Sequence, residues 1–226
     1  MKILISAGPT WIKIDDVRII TNIFTGRTGL FLAEEFAKKR RKVTLLINPH
    51  CIKNLPRNMK VVPFFYFEEL KSKLEKELKN NFYDVIIHTA SVSDYKLKRS
   101  FKGKVVSGKK EFILKLTPTP KLIKIIRRLA KNSFLIQFKL EIKREELIKK
   151  ALESLKENKS DLVVANALED LKLGYKAFVI DKDKNIKEVN SKKELFQTLF
   201  KLTNLYFHPN LYFHPRGGNS QFNLRG

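Results

Sequence analysis

Three short aliphatic runs, at residues 2–6, 42–47 and 84–89, are bounded by breakers and separated by stretches of helical spacing. This alternation constrains the fold more than any other feature of the chain. A strand that is apolar throughout has two faces to bury, which suits the interior of a parallel sheet covered on both sides by helices. Within residues 29–39, Leu30, Ala33, Phe36 and Ala37 recur at helical spacing, and residues 67–78 repeat the pattern before the third run. This βαβαβ order predicts an α/β, Rossmann-like, doubly wound and mainly parallel sheet with helices on both faces. Ligands of such sheets bind at the carboxyl ends of the strands.

Further along, the pattern predicts a helix over 120–130, a strand over 133–138, a long amphipathic helix from about 143 to 158 and another parallel strand over 161–165. Residues 176–181 and 187–189 read as a late β-hairpin around 183–185. A closing helix follows over 191–202, with Ser191 as N-cap and Glu194 at the capping-box position. Residues 96–110 hold seven Lys or Arg and two glycines without periodicity, which predicts an exposed, mobile basic loop. The tail repeats a hexapeptide, Asn204-Leu-Tyr-Phe-His-Pro209 and Asn210-Leu-Tyr-Phe-His-Pro215, and two copies do not make a solenoid. The expected organisation is one domain over 1–203 and a disordered tail over 204–226.

The formal net charge is +23, from 46 Lys and Arg against 23 Asp and Glu. Charge of this size suits polyanions through counterion release. Here the lysines are spread over the whole length, without a helix-turn-helix, zinc-finger or RNP-like signature, so no nucleic-acid partner is expected. A basic surface would still steer anionic small substrates into a cleft. Charged residues interrupt every apolar run before it reaches the roughly 18 residues of a membrane helix. The N-terminus has no secretory pattern, and the single Cys51 cannot form an internal disulfide. The expectation is a soluble, cytoplasmic protein with no membrane partner.

Chemistry is first suggested by Gly8-Pro9-Thr10 after the first strand and Thr25-Gly26-Arg27-Thr28-Gly29 at a helix start. Free amides and the positive dipole end of a glycine-containing helix N-terminus favour a phosphate. Gly-x-Gly-x-x-Gly is absent after the strand, and the second strand ends in Asn48-Pro49 without an acid, which counts against a nicotinamide-dependent reductase. Asp15-Asp16-Val17-Arg18 and Asn22 crowd polar groups before the helix. Arg18 could clamp an anion and Asn22 hold an oxyanion, or the segment could be a surface loop with a cap. Ala90-Ser91-Val92-Ser93-Asp94-Tyr95 brings small residues to the end of the third strand, where Asp94 could accept from a base or ribose, or cap a turn.

Taken in order, Ser6-Ala-Gly-Pro-Thr10, Ile14-Asp-Asp-Val-Arg18, Ile20-Thr-Asn22, Thr25-Gly-Arg-Thr-Gly29, Ala90-Ser-Val-Ser-Asp-Tyr95, Lys104-Val-Val-Ser107, Phe138-Lys-Leu-Glu141 and Asp161-Leu-Val-Val-Ala-Asn166 resemble the phosphopantothenoylcysteine synthetase family over roughly residues 1–200. The resemblance implies a homodimeric ligase of coenzyme A biosynthesis. A nucleotide activates the carboxylate of phosphopantothenate with release of pyrophosphate, and the amine of cysteine then displaces the nucleoside monophosphate. By position, Asn22 would hold the acyl-nucleotide intermediate and Arg18 orient it at the dimer interface. Lys104 falls on the lysine of the family's flexible lid, which assigns that role to residues 96–110. Gly8, Ala90, Ser91, Asp94, Pro120, Lys121 and Phe138 match nucleotide-pocket positions, and Thr25, Gly26, Arg27 and Gly29 would take the substrate phosphate.

Two departures bear on the details. The bifunctional bacterial form carries a flavin-dependent decarboxylase ahead of this domain, whereas Met1 stands at the first strand here, so a monofunctional enzyme without flavin is expected. Ser154 and Asn158 stand where that form usually has two lysines, which leaves CTP or ATP as cosubstrate. Freestanding bacterial members use CTP, which is the expectation, with Mg²⁺ implied by the triphosphate and no protein ligand for it identified. The rival readings are an NAD(P)-dependent reductase on the same fold and a basic nucleic-acid-binding protein.

Overall fold

The computed structural model describes residues 1–208 apart from 53 and 109. The chain opens with β1 (Lys2–Ala7), a short hairpin of β2 (Trp11–Lys13) and β3 (Ile19–Thr21), α1 (Arg27–Lys38) and β4 (Lys42–Ile47). It continues through β5 (Lys60–Pro63), α2 (Phe67–Asn80), β6 (Val85–His88), β7 (Tyr95–Leu97), β8 (Leu116–Pro118), α3 (Leu122–Leu129) and β9 (Phe134–Glu141). It closes with α4 (Leu147–Asn158), β10 (Leu162–Ala167), α5 (Leu168–Leu173), β11 (Ala177–Asp181), β12 (Ile186–Val189) and α6 (Lys192–Phe207). Eight strands form one sheet in the order β12-β11-β10-β9-β6-β1-β4-β5. The six from β10 to β5 run parallel, and β11 and β12 are antiparallel, as expected of the late hairpin.

The aliphatic runs are unbroken because both faces of each strand are buried. In β1, Ile3, Ile5 and Ala7 pack with Leu32, Ala33 and Phe36 of α1 and Leu195, Phe196 and Leu199 of α6. Leu4 points the other way, into a layer with Leu70 and Leu74 of α2 and Leu122 and Ile126 of α3. The same division recurs in β6, where Val85 and Ile87 face α1 and Ile86 faces α2. Helix α4 completes the second layer over Val163 and Ala165 of β10. Period-two alternation of side chains therefore distributes one apolar run between two cores.

Several elements differ from the sequence expectation. β5 is a short edge strand of half-buried residues, too weak in hydrophobicity to stand out. Helix α4 begins at Leu147, because residues 143–146 are held in a turn where the Arg144 amide donates to Glu169 Oε1 at 2.8 Å. The expected N-cap Ser191 accepts from the Glu194 amide at 3.0 Å, while Glu194 Oε2 accepts from the amide of Asn190, one residue earlier than in the usual capping box. Helix α6 runs on to Phe207, beyond the 202 expected for the closing helix. Asn204 is buried and accepts from Arg41 Nη2 at 2.8 Å, and the Tyr206 ring packs 4.6 Å from that of Phe134. The expectation for residues 209–226 lies outside the described residues. Among the described residues, no helix is long and apolar enough to cross a membrane.

Candidate active site

β1 is where the sheet reverses direction. The chain leaves it through α1 to β4 on one side and returns through α2 to β6 on the other. The crevice at the carboxyl ends of β1 and β6 is the expected ligand position of such a sheet. Helix α1 starts directly over it. Its N-cap Gly26 has φ +78°, and a Cβ there would lie 2.5 Å from the backbone nitrogen of Gly8 and 2.7 Å from its Cα. At Gly29 a Cβ would lie 2.5 Å from both Ala7 Cβ and Thr89 Oγ1. Only glycines let the helix end descend onto the strand ends. Its first turn has no side-chain cap and no acidic residue, so amides and positive dipole end face the crevice unneutralised.

The loops above the strands are cross-linked by polar groups, of which Thr10 and Ser93 are buried. The Thr10 amide donates to the Ser91 carbonyl at 3.1 Å, and the Ser93 amide donates to Thr10 Oγ1 at 2.8 Å. Asn22, arriving from β3, donates through Nδ2 to Ser91 Oγ at 2.8 Å and to the Ser91 carbonyl at 3.2 Å. Thr119 Oγ1 donates to the Ser93 carbonyl at 2.7 Å and carries the network toward Pro120. Four loops distant in sequence are thereby held in one arrangement.

Two cavities open on this frame. The first, of about 570 Å³, is lined by Ala90, Asp94, Pro120, Lys121, Phe138 and Asn158 among others. The second, of about 850 Å³, is lined by Asn22, Thr25, Gly26, Arg27, Gly29 and Ser91, with Asn166, Tyr175 and Lys192. Ala90, Val92, Asp94, Phe138 and Lys139 line both, so the two form adjoining compartments. Most of the residues singled out in the sequence thus converge. Gly8 lines neither cavity and serves as the surface on which Gly26 lies.

Arg18 and Lys104 also lie apart from the cavity walls. Arg18 Nη2 donates to the Val105 carbonyl at 2.9 Å, and its guanidinium sits 3.5 Å from Asp15. Asp15 accepts in turn from the amides of Val17, Arg18 and Val105 at 2.9, 2.7 and 3.0 Å. Asp16 Oδ2 accepts from the Gly103 amide at 2.8 Å. Residues 101–105 of the basic segment are therefore fastened to the turn at 14–18, and Lys96 and Leu97 belong to the β7–β8 ribbon, which corrects the reading of 96–110 as one free loop. Lys104 is exposed and makes no ion pair among the described residues.

The electrostatics are uneven. Lys121 Nζ lies 2.6 Å from Asp94, an exposed pair across the first cavity that occupies the carboxylate expected to meet a base or ribose. His88, at the end of β6, has Nδ1 2.6 Å from Ser6 Oγ, and burial pulls its pKa down to about 4, so the ring is neutral at physiological pH. Gln137 and Asn158 are joined at 2.9 Å on the floor of the first cavity.

Residues 1–204 match the family described as the DNA/pantothenate metabolism flavoprotein C-terminal domain. The chain belongs to this family. One relative in it, the coenzyme A biosynthesis bifunctional protein CoaBC of Thermococcus kodakarensis, is 37% identical over 169 residues, covering 74% of this chain and 41% of that protein. CoaBC of Methanocaldococcus jannaschii is 32% identical, covering 88% of this chain and 49% of that protein. The chain spans about half the length of the curated relatives it matches. Among solved structures, the DNA/pantothenate metabolism flavoprotein from Streptococcus pneumoniae superposes with a TM-score of 0.82 at 27% identity, covering 91% of this chain and 99% of that one.

Within the flavoprotein C-terminal-domain family frame, three wall residues had no role from sequence. Lys192, Tyr175 and Asn166 reach the second cavity from the late part of the chain. Asn166 was visible as the end of the Asp-Leu-Val-Val-Ala-Asn motif. Lys192 carried no signal, because a lysine at the start of an amphipathic helix reads as solvated surface. Ser93 and Thr10, which set the loop geometry, lay inside recognised motifs without an assignable task.

Proposed function

We propose that the chain is a phosphopantothenate–cysteine ligase acting in coenzyme A biosynthesis. The observation that carries this reading is the pair of adjoining cavities sharing Ala90, Asp94 and Phe138, with the uncapped α1 terminus on one side and Pro120 and Lys121 on the other. An acyl-nucleotide needs a nucleotide compartment and an anionic acyl compartment that meet at the reacting carbonyl. In the first step a carboxylate oxygen of phosphopantothenate attacks the α-phosphorus of the nucleotide and pyrophosphate leaves. In the second, the cysteine amine attacks the acyl carbon, the nucleoside monophosphate departs and the amine loses a proton.

Asn22, at the wall of the second cavity, would hold the acyl-nucleotide, and preorganised amide donors of this kind are worth about 10²–10³ in rate. Thr25, Gly26, Arg27 and Gly29 would take the substrate phosphate, and Ala90, Ser91, Asp94, Pro120, Lys121 and Phe138 the nucleotide. Lys104 would reach the triphosphate when the segment fastened at 101–105 is released and closes. CTP is the favoured cosubstrate over ATP. Mg²⁺ would arrive on the triphosphate, whose oxygens supply much of its coordination. We read the enzyme as a cytoplasmic homodimer, with exposed Val17 and Val106, the chain neighbours of the linked Arg18 and Val105, as apolar surface for a second copy.

The test is pyrophosphate release from phosphopantothenate, cysteine and Mg²⁺ with CTP or with ATP. Release requiring every component is expected, faster with CTP. No release with either nucleotide would overturn the reading.

A further inference from the structure

A row of polar side chains crosses the sheet where one of its apolar layers ends. Ser6, His88 and Gln137 are neighbours in register on β1, β6 and β9. Each stands two residues beyond a member of the layer with α2 and α3, namely Leu4, Ile86 and Leu135, so all three side chains face that side. Helix α4 extends the row with Asn158 and Ser154. His88, Gln137, Ser154 and Asn158 all line the first cavity.

The row is hydrogen-bonded at both ends and open in the middle. At one end His88 Nδ1 lies 2.6 Å from Ser6 Oγ. At the other, Asn158 Nδ2 donates to Gln137 Oε1 at 2.9 Å and to Ser154 Oγ at 3.1 Å. This fixes the sense of the Gln137 amide, with its oxygen toward α4 and Nε2 left over as a donor. Gln137 is 4% exposed, and its Nε2 has no partner among the described residues. A buried donor in that state costs free energy unless a ligand answers it. With its proton on Nδ1, toward Ser6 Oγ, the neutral His88 ring presents Nε2 as an acceptor. Neighbouring strands stand about 4.8 Å apart, so the gap offers one donor and one acceptor side by side.

A planar base with an amino group beside an unprotonated ring nitrogen complements that pair. The amino group donates to His88 Nε2, and the ring nitrogen accepts from Gln137 Nε2. Cytosine and adenine carry this edge, whereas uracil and guanine carry a carbonyl beside a ring N–H. A shift of the His88 proton to Nε2 would meet the carbonyl, but the Gln137 donor, fixed by Asn158, would still face the ring N–H.

We propose that His88 and Gln137 read the base of the nucleotide and select an amino-bearing base over its keto counterpart, with Asn158 as the positioning residue that sets which way the Gln137 amide points. The inference rests on the ligase reading for the nucleotide and adds the residues that tell one base from another.

The experiment compares kcat/KM for CTP, ATP, UTP and GTP in pyrophosphate release with phosphopantothenate, cysteine and Mg²⁺. Wild type should prefer CTP to UTP, and ATP to GTP, by at least about 100-fold. Gln137→Met removes the donor and keeps the length of the side chain. It should lower kcat/KM for CTP roughly 10- to 100-fold and leave UTP little changed, so that the preference collapses by that factor. Asn158→Ala, which frees the amide to turn, should reduce the same preference by raising UTP. Equal losses with CTP and UTP in Gln137→Met overturn the proposal, since the glutamine would then only support the cavity floor. A wild type that uses CTP and UTP alike overturns it too, and that result needs no variant to fold. If no nucleotide releases pyrophosphate, the ligase reading fails, and calorimetric binding of CTP and UTP to wild type and Gln137→Met tests the base contact by itself. A preference for CTP that is lost in the variant supports it, and equal affinities in wild type or an unchanged preference in the variant overturn it.

Discussion

Asn22 Nδ2 donates to both the hydroxyl and the carbonyl of Ser91, at 2.8 and 3.2 Å, tying the β3 exit to the loop after β6. The amide is thereby held at the rim of the second cavity by two contacts, of which the one to the carbonyl can be made only by a donor. Asn22→Asp replaces that donor with an acceptor and adds a negative charge where an acyl-phosphate would lie. We expect kcat to fall about 100-fold. The residue is exposed, so the urea midpoint should change by no more than the equivalent of about 0.5 kcal/mol. Parallel turnover and denaturation measurements check both.

The Asp15 carboxylate fastens residues 101–105 and is the feature that sets how easily the basic segment opens. Burial pushes its carboxyl up, but the amides of Val105, Val17 and Arg18 and the Arg18 guanidinium outweigh this and hold it below the usual carboxylate range. A lowered folded value means the contribution is present above the unfolded pKa and lost only as pH falls through the folded one, so the fastening holds at all pH values above about 4. Asp15→Asn removes the charge and turns one acceptor into a donor facing the Val105 amide. Hydrogen exchange at 101–105 should accelerate at least tenfold at pH 7, while the amides of β1 and β6 stay protected.

Gly26→Ala tests whether the crossing of α1 over β1 tolerates a side chain. The new Cβ would meet Gly8 backbone atoms at 2.5 and 2.7 Å, and backbone on backbone cannot yield as a flexible side chain does. With the positive φ added, we expect a loss of about 3 kcal/mol in urea denaturation, together with lost phosphate affinity.

His88 gives the protein an acid-sensitive point. Its folded pKa of about 4 lies below the ordinary value of 6.5, so the unfolded chain binds more protons between these values and stability falls as pH drops from 6.5 toward 4. The full effect is present above 6.5. Because the ring opens onto the first cavity, we expect on the order of 2 kcal/mol, less than the whole shift would convert to. In His88→Asn, which keeps a partner for Ser6 Oγ, the pH dependence of stability between 6.5 and 4 should flatten by that amount.

The parallel core was legible because β1, β4 and β6 are buried on both faces, so their apolar runs are continuous. β5 and the β7–β8 ribbon escaped notice because their residues are half-exposed and the runs are three or four residues long. The hexapeptide repeat suggested a tail from 204 onward, yet Asn204 and Tyr206 are held by Arg41 and Phe134, partners no local pattern reveals. At the site, the order of motifs brought Asn22, the Thr25 to Gly29 turn, Ala90 to Asp94 and Phe138 into view together. Gly8 lies under Gly26, and a glycine that admits a ligand and one that admits another backbone look alike in sequence.

By itself, the sequence determined the layered α/β architecture, the glycine-dependent helix start at the sheet reversal and the residues that crowd around it. Those properties follow from burial periodicity and backbone freedom, which are local. Tertiary structure alone decided that Asp15 and Arg18 fasten the basic segment, that Lys121 occupies Asp94, and that Arg27 and Lys192 share a cavity, neither with an ion-pair partner among the described residues. Charge acts through distance in space, and that distance is set by the sheet order, which places the first and last helices on the same face.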